Sequence, residues 1–448
     1  MTTKTLYFKG LPHRQAFHMA WPMIISNISA PLMGIADTAM LGHLESALYL
    51  GAVAIGANIM AFLLWMFAFL RMGTTSFVGR AWGAGENQHL LLQFGQSLLF
   101  AVSAGLVLIA LQWLLIPIAI NLMAPDPEIA QLAARYCHIR LTAAPAAFVT
   151  FVVLGLLIGL QNTRLPLFIT VLANALNILL DYLFIVRFGW NSDGAAFATL
   201  IAEFTGCAIA LWVANKALKQ ALGNTYSLPA LRELLNLKGW SALLKLNGDL
   251  FIRTALLLFI FNFFTAQGAQ LSHTVLAANA ILMQLVLLQS FGLDGYAHAA
   301  EAMGAKALGG RKQDEFMRAC AASIVAGLGL ALVISLCFAA GKTTIIAMFT
   351  SIHDVADATS TYYAWLIAFP LVSIWTYMLD GIFIGAGRTR TLLGTMVLSV
   401  FIIFFPLWWA TQSLGNHGLW LSFIIFNASR GASLAWSFYT LSVKRLWF

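Results

Sequence analysis

The sequence predicts an all-α polytopic membrane protein, with twelve transmembrane helices in two six-helix lobes related by a parallel internal repeat. Three observations carry that reading. Of the 448 residues 60% are apolar and only 9% are charged, whereas a soluble domain carries about 25% charged residues. The apolar residues fall into twelve runs of spanning length, and the second six echo the first six. With a mean hydropathy of +0.84, the chain cannot cover a globule with polar side chains, which excludes a soluble enzyme, a nucleic-acid binder and a disordered scaffold. The net charge of +8 is then read as loops facing an anionic leaflet.

A spanning helix needs about 20 mostly apolar residues. Runs of that kind lie at 13–43, 48–79, 90–122, 130–158, 160–187 and 193–217, then at 239–271, 275–306, 314–340, 355–383, 391–411 and 417–443. Turn or charge signals separate them: His43 and Glu45, Gly83 to Asn87, Ala124 to Glu128, Gln161 to Arg164, Trp190 to Gly194, and later equivalents. The opening MTTKTLYFKG lacks an apolar cleavable segment and the next run is too long for a signal peptide, so the first span is expected in the mature chain.

An even number of spans puts both termini on one side. With the amino terminus in the cytoplasm, most of the 25 Lys and Arg, among them Lys4, Lys9, Arg80, Arg164, Lys216, Lys245, Arg311, Arg388 and Lys444, fall at or near the inner face. Only Arg187 and Lys342 fall clearly near outer loops, while Arg71, Arg135, Arg140, Arg253 and Arg430 lie within spans. This imbalance predicts both termini inside. The polar stretch 218–238, with Pro229 and the start of an amphipathic LRELLNLKGW, reads as a cytoplasmic linker between an amino-terminal lobe, 1–217, and a carboxy-terminal lobe, 239–448. The four cysteines, Cys137, Cys207, Cys320 and Cys337, each stand alone in apolar runs and are read as small core residues, with no metal site expected.

The repeat fixes the architecture. Ala57-Asn58 aligns with Ala278-Asn279, and Ala81, Gly83 and Ala84 with Ala302, Gly304 and Ala305, at an offset of 221. IGLQNTR at 158–164 aligns with IGAGRTR at 384–390 at an offset of 226, and Asp193-Gly194 with His417-Gly418. Six helices per half give the halves the same orientation, one of the known plans of secondary transporters, with a site between or within the halves. No G-x-x-x-x-G-K-[ST] phosphate loop is present, so an ion gradient is the expected energy source.

Ionisable residues inside spans are costly and are functional candidates by default. Asp37 sits deep in the first span, in PLMGIADTAMLGH, where a carboxyl suits proton uptake from one side and release to the other. In the fifth span Asn177 and Asp181 are four apart and share a helix face, with Asn174 one turn earlier. Thr199 and Glu203 form a similar face in the sixth. Asp37, Asn177, Asp181 and Thr199 are therefore expected to converge inside the first bundle. Pro22 and Pro31 mark places where the first helix can bend. In the second half the buried acids are Asp294, Glu301 and Asp380, while Asp249 and Arg253, i and i+4, are expected to pair with each other. The 14 Trp, the 33 Phe and Met33, Met60, Met66, Met72, Met283, Met303 and Met378 offer an apolar and aromatic lining that suits hydrophobic or cationic compounds.

These residues carry a resemblance. PMIISN at 22–27, GIADTAMLGHL at 34–44, LGAVAIG at 50–56, N-x-x-N-I-L-L-D at 174–181 and the stretch from Tyr377 to Gly381 resemble the multidrug and toxic compound extrusion (MATE) family, in the branch called DNA-damage-inducible protein F, and the resemblance covers essentially the whole chain. It implies a two-lobed, V-shaped, twelve-helix antiporter of a bacterial inner membrane that exports diverse cationic or amphipathic compounds in exchange for protons or sodium ions. It implies a cation-coupling site of Asp37, Asn177, Asp181 and Thr199 and a bending Pro22. Asn174, Glu203, Asp294 and Asp380 stand as secondary candidates. Sodium-coupled relatives of another branch place their acidic pair in helices seven and ten, where only Asp380 is a plausible counterpart, so proton coupling is expected. No cofactor and no metal are expected, nor a nucleic-acid partner; the expected partners are small-molecule drugs and the lipid bilayer, with the chain acting as a monomer. The alternative is a lipid-linked oligosaccharide flippase of the related superfamily, against which the placement of most Arg and Lys in inner loops argues. An intramembrane enzyme is disfavoured, since the nine His show no H-E-x-x-H or similar pairing.

Overall fold

The computed structural model describes residues 10–44, 46–123, 125–223, 226–227 and 229–447. Lys4, Lys9, Glu45 and Ala124 of the sequence reading, and residues 224, 225 and 228 of the linker, lie outside the described residues.

Each of the twelve apolar runs folds as helix, and no strand occurs among the described residues. In chain order α1 is His13–Gly42, and α2 is Ala47–Trp65 resumed at Phe69–Ala84. α3 is Asn87–Ala110 followed by Gln112–Met123, and α4 is Pro127–Leu141 followed, after a 51° bend, by Ala144–Gly159. α5 is Arg164–Asp181 continued by a π turn, Tyr182–Arg187, and α6 is Asn191–Leu222. After a single turn at Leu231–Leu234 come α7 (Leu237–Leu271), α8 (His273–Gly309), α9 (Gln313–Phe349) and α10 (His353–Gly385). α11 is Thr389–Val397, a π turn Leu398–Phe404, and Phe405–Ala410; α12 is Asn416–Val443. Among the described residues ten helices are long and apolar enough to cross a membrane, and eleven when the bent pair of α4 counts as one. α12 falls outside that group because Ser422, Asn427, Ser429, Arg430 and Ser433 interrupt its apolar residues. The chain is a multi-pass membrane protein.

Close backbone approach shows the repeat. On α4 a methyl group at Gly155 would strike the carbonyl oxygen of Arg71 on α2, and one at Gly159 that of Thr75. On α10 Gly381 and Gly385 stand the same way against the carbonyl oxygens of Ala297 and Glu301 on α8. Small residues let helices approach where no hydrophobic force drives them together in lipid. Both sets correspond at an offset of 226 (Arg71 to Ala297, Gly155 to Gly381). The same offset relates the helix-capping Ser46 and Ser272, and the starts of α3 and α9 at Asn87 and Gln313. The alignment of the second helix at 221 is therefore five residues out of register. Alanine and glycine recur so often in apolar helices that short matches arise at the wrong offset.

Contacts divide the chain into two units. One is Ile25–Leu244; the other joins the described part of Met1–Ile24 to Lys245–Phe448. The change of unit therefore falls inside α1, two residues after Pro22, and inside α7. In the second unit the start of α1 packs on α8, where Gly295 meets the Ala20 carbonyl and Ile24, and Phe264, Phe404, Trp420, Phe423 and Phe426 fill an aromatic core. In the first unit the Leu234 carbonyl accepts from Gln96 Nε2 at 3.4 Å and from Trp240 Nε1 at 2.7 Å, which ties the single turn to α3.

One expectation is corrected. Cys137 and Cys320 are buried, but Cys337 is exposed on α9, since an apolar run in a membrane has a lipid-facing side that reads like core. Met60, Met303 and Met378 are buried in the packed interior, as most of these side chains must be.

Candidate functional site

The buried residues of α5 include Ile169, Asn177 and Asp181, spaced in multiples of four, while Phe168, Leu172, Leu179 and Tyr182 are exposed. Such a helix is inverted relative to a soluble one. Lipid accepts the apolar outer face, and the polar inner face must find partners within the bundle. Ala195, Ala196, Ala198, Ala202 and Gly206 give α6 a small-residue side, with Gly206 against Ala173 of α5. That close approach delivers Thr199 to α5.

The four primary candidates meet inside the unit Ile25–Leu244. Asp37 on α1 and Asp181 on α5 bring their carboxyl groups side by side. Asn177 Nδ2 donates to Thr199 Oγ1 at 3.1 Å, and Thr199 donates to the Ala195 carbonyl at 2.9 Å. Asp181 is 0% and Asn177 1% exposed. No N–H or O–H donor of the described residues satisfies Asp181 Oδ1, Asp181 Oδ2, Asp37 Oδ1 or Asn177 Oδ1. Buried acceptors are ordinarily paired, so this group of oxygens is chemically unfinished: a proton on one carboxyl makes it a donor to the other, and a small hard cation could use the same oxygens. The π turn of α5 begins immediately after Asp181, and such turns frequently accompany functional sites.

The secondary candidates divide. Asn174 Nδ2 donates to Ser29 Oγ of α1 at 3.0 Å, one more polar tie between α1 and α5. Glu203 Oε1 accepts from Arg140 Nη1 at 2.8 Å. In the other unit, Asp380 Oδ2 accepts from both Arg253 and Arg430, the latter at 2.7 Å. Arg253 therefore does not pair with Asp249, which accepts instead from Thr389 Oγ1 at 2.8 Å. An i, i+4 spacing allows a pair but cannot compete with a carboxylate buried on a neighbouring helix. Asp294 is half-buried on α8, in the unit that does not contain Asp37 and Asp181.

Sequence reasoning missed Arg140 and Tyr136 as members of this cluster. Arg140 donates to Glu203 Oε1, and the buried Tyr136 stands one turn before it on the same helix. The signal was present: Arg140 is an ionisable residue inside a span, and the rule applied to the acids applies to it equally.

The MatE family model matches residues 22–183 and 250–409, one segment in each half. Over 94% of this chain and 90% of the relative, the sequence is 36% identical to DNA damage-inducible protein F of Escherichia coli. It is 25% identical to the probable multidrug resistance protein NorM of Acinetobacter baylyi over 92% of each chain. Among solved structures, that of the Vibrio cholerae MATE transporter VcmN has a TM-score of 0.85 over 97% of each chain at 22% identity, a likeness of fold. With the family model matching in both halves and a relative aligned along nearly the whole length, the chain belongs to the MatE family of multidrug and toxin extrusion transporters, in keeping with its DNA-damage-inducible protein F branch.

Proposed function

We propose that this protein is a secondary active exporter, moving diverse cationic or amphipathic small molecules out across a bacterial inner membrane in exchange for protons, with both termini in the cytoplasm. The observation that carries this reading is the pairing of the fully buried Asp181 carboxyl with the partly buried Asp37, and their undonated oxygens. Taking up a proton removes one negative charge from the site and gives the pair its internal hydrogen bond; losing it restores a charge that an organic cation can answer. The two occupants then compete, which is the minimum requirement of antiport. Pro22 supports a bending role for α1, because it removes the backbone bond to His18 and lies two residues before α1 changes unit. Asn177 and Thr199 hold the α5 and α6 sides of the site together.

Proton coupling is preferred to sodium. Asp380, the acid that would serve a carboxy-terminal cation site, is engaged by two guanidinium groups. The flippase alternative gains no support from relatives named for multidrug resistance. The test is drug-driven pH change in inverted vesicles with sodium present or absent. Drug-dependent proton movement that needs no sodium, and that is lost in Asp37→Asn, is expected; strict sodium dependence would overturn the choice of ion, and unaltered transport in Asp37→Asn the choice of site.

A further inference from the structure

We propose that Ser29 and Asn174 are positioning residues of the coupling site: their uncharged hydrogen bond moors the second half of α1 to α5 and keeps Asp37 level with Asp181. This rests on the reading of that pair as the coupling group. Asn174 Nδ2 donates to Ser29 Oγ at 3.0 Å, and the Ser29 hydroxyl gives its own proton to the Ser26 carbonyl at 2.7 Å. Ser29 is thereby fixed as an acceptor toward α5. Asp37 stands eight residues beyond Ser29 on α1, and Asp181 seven beyond Asn174 on α5. At about 1.5 Å per residue those steps are about 12 and about 10.5 Å. Two helices running the same way and joined at Ser29 and Asn174 therefore come level again at the acids.

The mooring matters because side-chain burial does little to hold this part of α1. Among the described residues from Asn27 to Met40 no side chain is buried, and Leu32 and Ile35 are exposed. Apolar side chains facing lipid do not drive a helix against its neighbour, which leaves the polar ties to decide its place. Thr38 turns its hydroxyl back onto its own helix, to the Gly34 carbonyl at 2.8 Å. The contact at Asp37 changes with the charge on the acids, whereas Ser29 and Asn174 carry no group that titrates, so their bond serves both charge states. Pro22 and Pro31 each remove a backbone bond from α1, and Ser29 lies between them. The bond thus fixes α1 to α5 between its two weak points. The fold itself does not require a polar tie at this place. At the 226-residue offset the other half of the chain has Ala255 and Val400, the latter fully buried in an apolar core.

The test measures protons released per molecule of tetraphenylphosphonium bound to the purified protein, and tetraphenylphosphonium-driven proton movement in vesicles. The variants are Ser29→Ala, Asn174→Ala, Ser29→Ala/Asn174→Ala and Ser29→Thr. Carboxyls held side by side keep a proton that separated ones give up, so each alanine variant is expected to release fewer protons per bound cation. A purely structural role would lower the amount of folded protein and leave that ratio alone. Proton movement in vesicles is expected to fall about three- to tenfold, the scale set by one hydrogen bond. Because the two residues form one tie, the double variant is expected to lose no more than the worse single variant. Ser29→Thr keeps the hydroxyl and is expected to keep both readouts. An unchanged ratio in the alanine variants overturns the proposal, and so do additive losses in the double variant or a Ser29→Thr variant as impaired as Ser29→Ala. Should Asn174→Ala fail to fold, the contrast between Ser29→Ala and Ser29→Thr decides. Asp37→Asn serves as the separate control: if it transports normally, the reading of the site itself fails, whereas an inactive Asp37→Asn beside normal alanine variants rejects only the role of Ser29 and Asn174.

Discussion

Arg430 on α12 donates to Asp380 Oδ2 on α10 across 2.7 Å, and Arg253 of α7 reaches the same oxygen. One buried carboxylate thus ties three helices of the carboxy-terminal half. Removing one member of such a cluster leaves charge buried without compensation, which costs about 3–5 kcal/mol. Asp380→Ala is therefore expected to lower thermal stability in detergent far more than Asp37→Asn does. Equal unfolding temperatures for the two variants would count against a structural role for Asp380.

Asp181→Asn probes the other carboxylate cluster from α5. Asparagine has nearly the same shape and can donate to Asp37, so insertion and folding are expected to survive. The pair can then no longer pass between one proton and none in the same way, and drug-driven proton movement in vesicles is expected to disappear. Retention of that movement at the wild-type rate would remove Asp181 from the coupling site.

The helices were legible in the sequence because a membrane span announces itself by length and composition; each predicted run matches a helix to within about five residues except the ninth, read as 314–340, which continues to Phe349. Asp37, Asn177, Asp181 and Thr199 were legible for a related reason: a polar side chain in an apolar segment must find partners, and these four found each other. Pairings that depend on which helix packs beside which were not legible. Arg253 has Asp249 one turn away in sequence, yet bonds to Asp380 from another helix, and nothing in either segment encodes that choice. Arg140 was placed within a span yet left out of the site, because the search there was for acids and its partner Glu203 lies on another helix. The register of the repeat was blurred by alanine and glycine in the second helix, and became clear from the carbonyl contacts of Gly155 and Gly381.

Glycines on the two matching helix crossings should respond alike. In Gly155→Ala the new methyl meets the Arg71 carbonyl, and in Gly381→Ala it meets that of Ala297. Backbone cannot rotate away as a side chain can, so each substitution is expected to destabilise by about 1–3 kcal/mol. Gly248 on α7 is the control, because a methyl there meets nothing within 4 Å. Gly248→Ala is expected to be neutral or to stabilise its helix by up to about 1 kcal/mol. Thermal unfolding of the three variants in one detergent checks the order, and a Gly248→Ala variant less stable than Gly381→Ala would contradict it.

A buried amide pair gives the last test. Asn279 Nδ2 of α8 donates to Asn416 Oδ1 at the start of α12 at 2.8 Å, and Asn416 Nδ2 returns a bond to Asn279 Oδ1 at 2.9 Å, where Trp420 Nε1 also donates at 2.9 Å. The pair closes its own hydrogen bonds inside an apolar core. Asn416→Leu leaves the Asn279 amide without its reciprocal partner and is expected to cost about 1–3 kcal/mol. The fold itself does not demand the amide, since at the repeat offset the amino-terminal half buries Val53 in the place of Asn279. Asn279→Val/Asn416→Leu removes the orphaned group and leaves one unmet donor, the Trp420 N–H. Its loss of stability is therefore expected to fall well below the sum of the two single losses, by about 1 kcal/mol or more. Additive losses in thermal unfolding would show that the two amides act independently, contrary to the geometry.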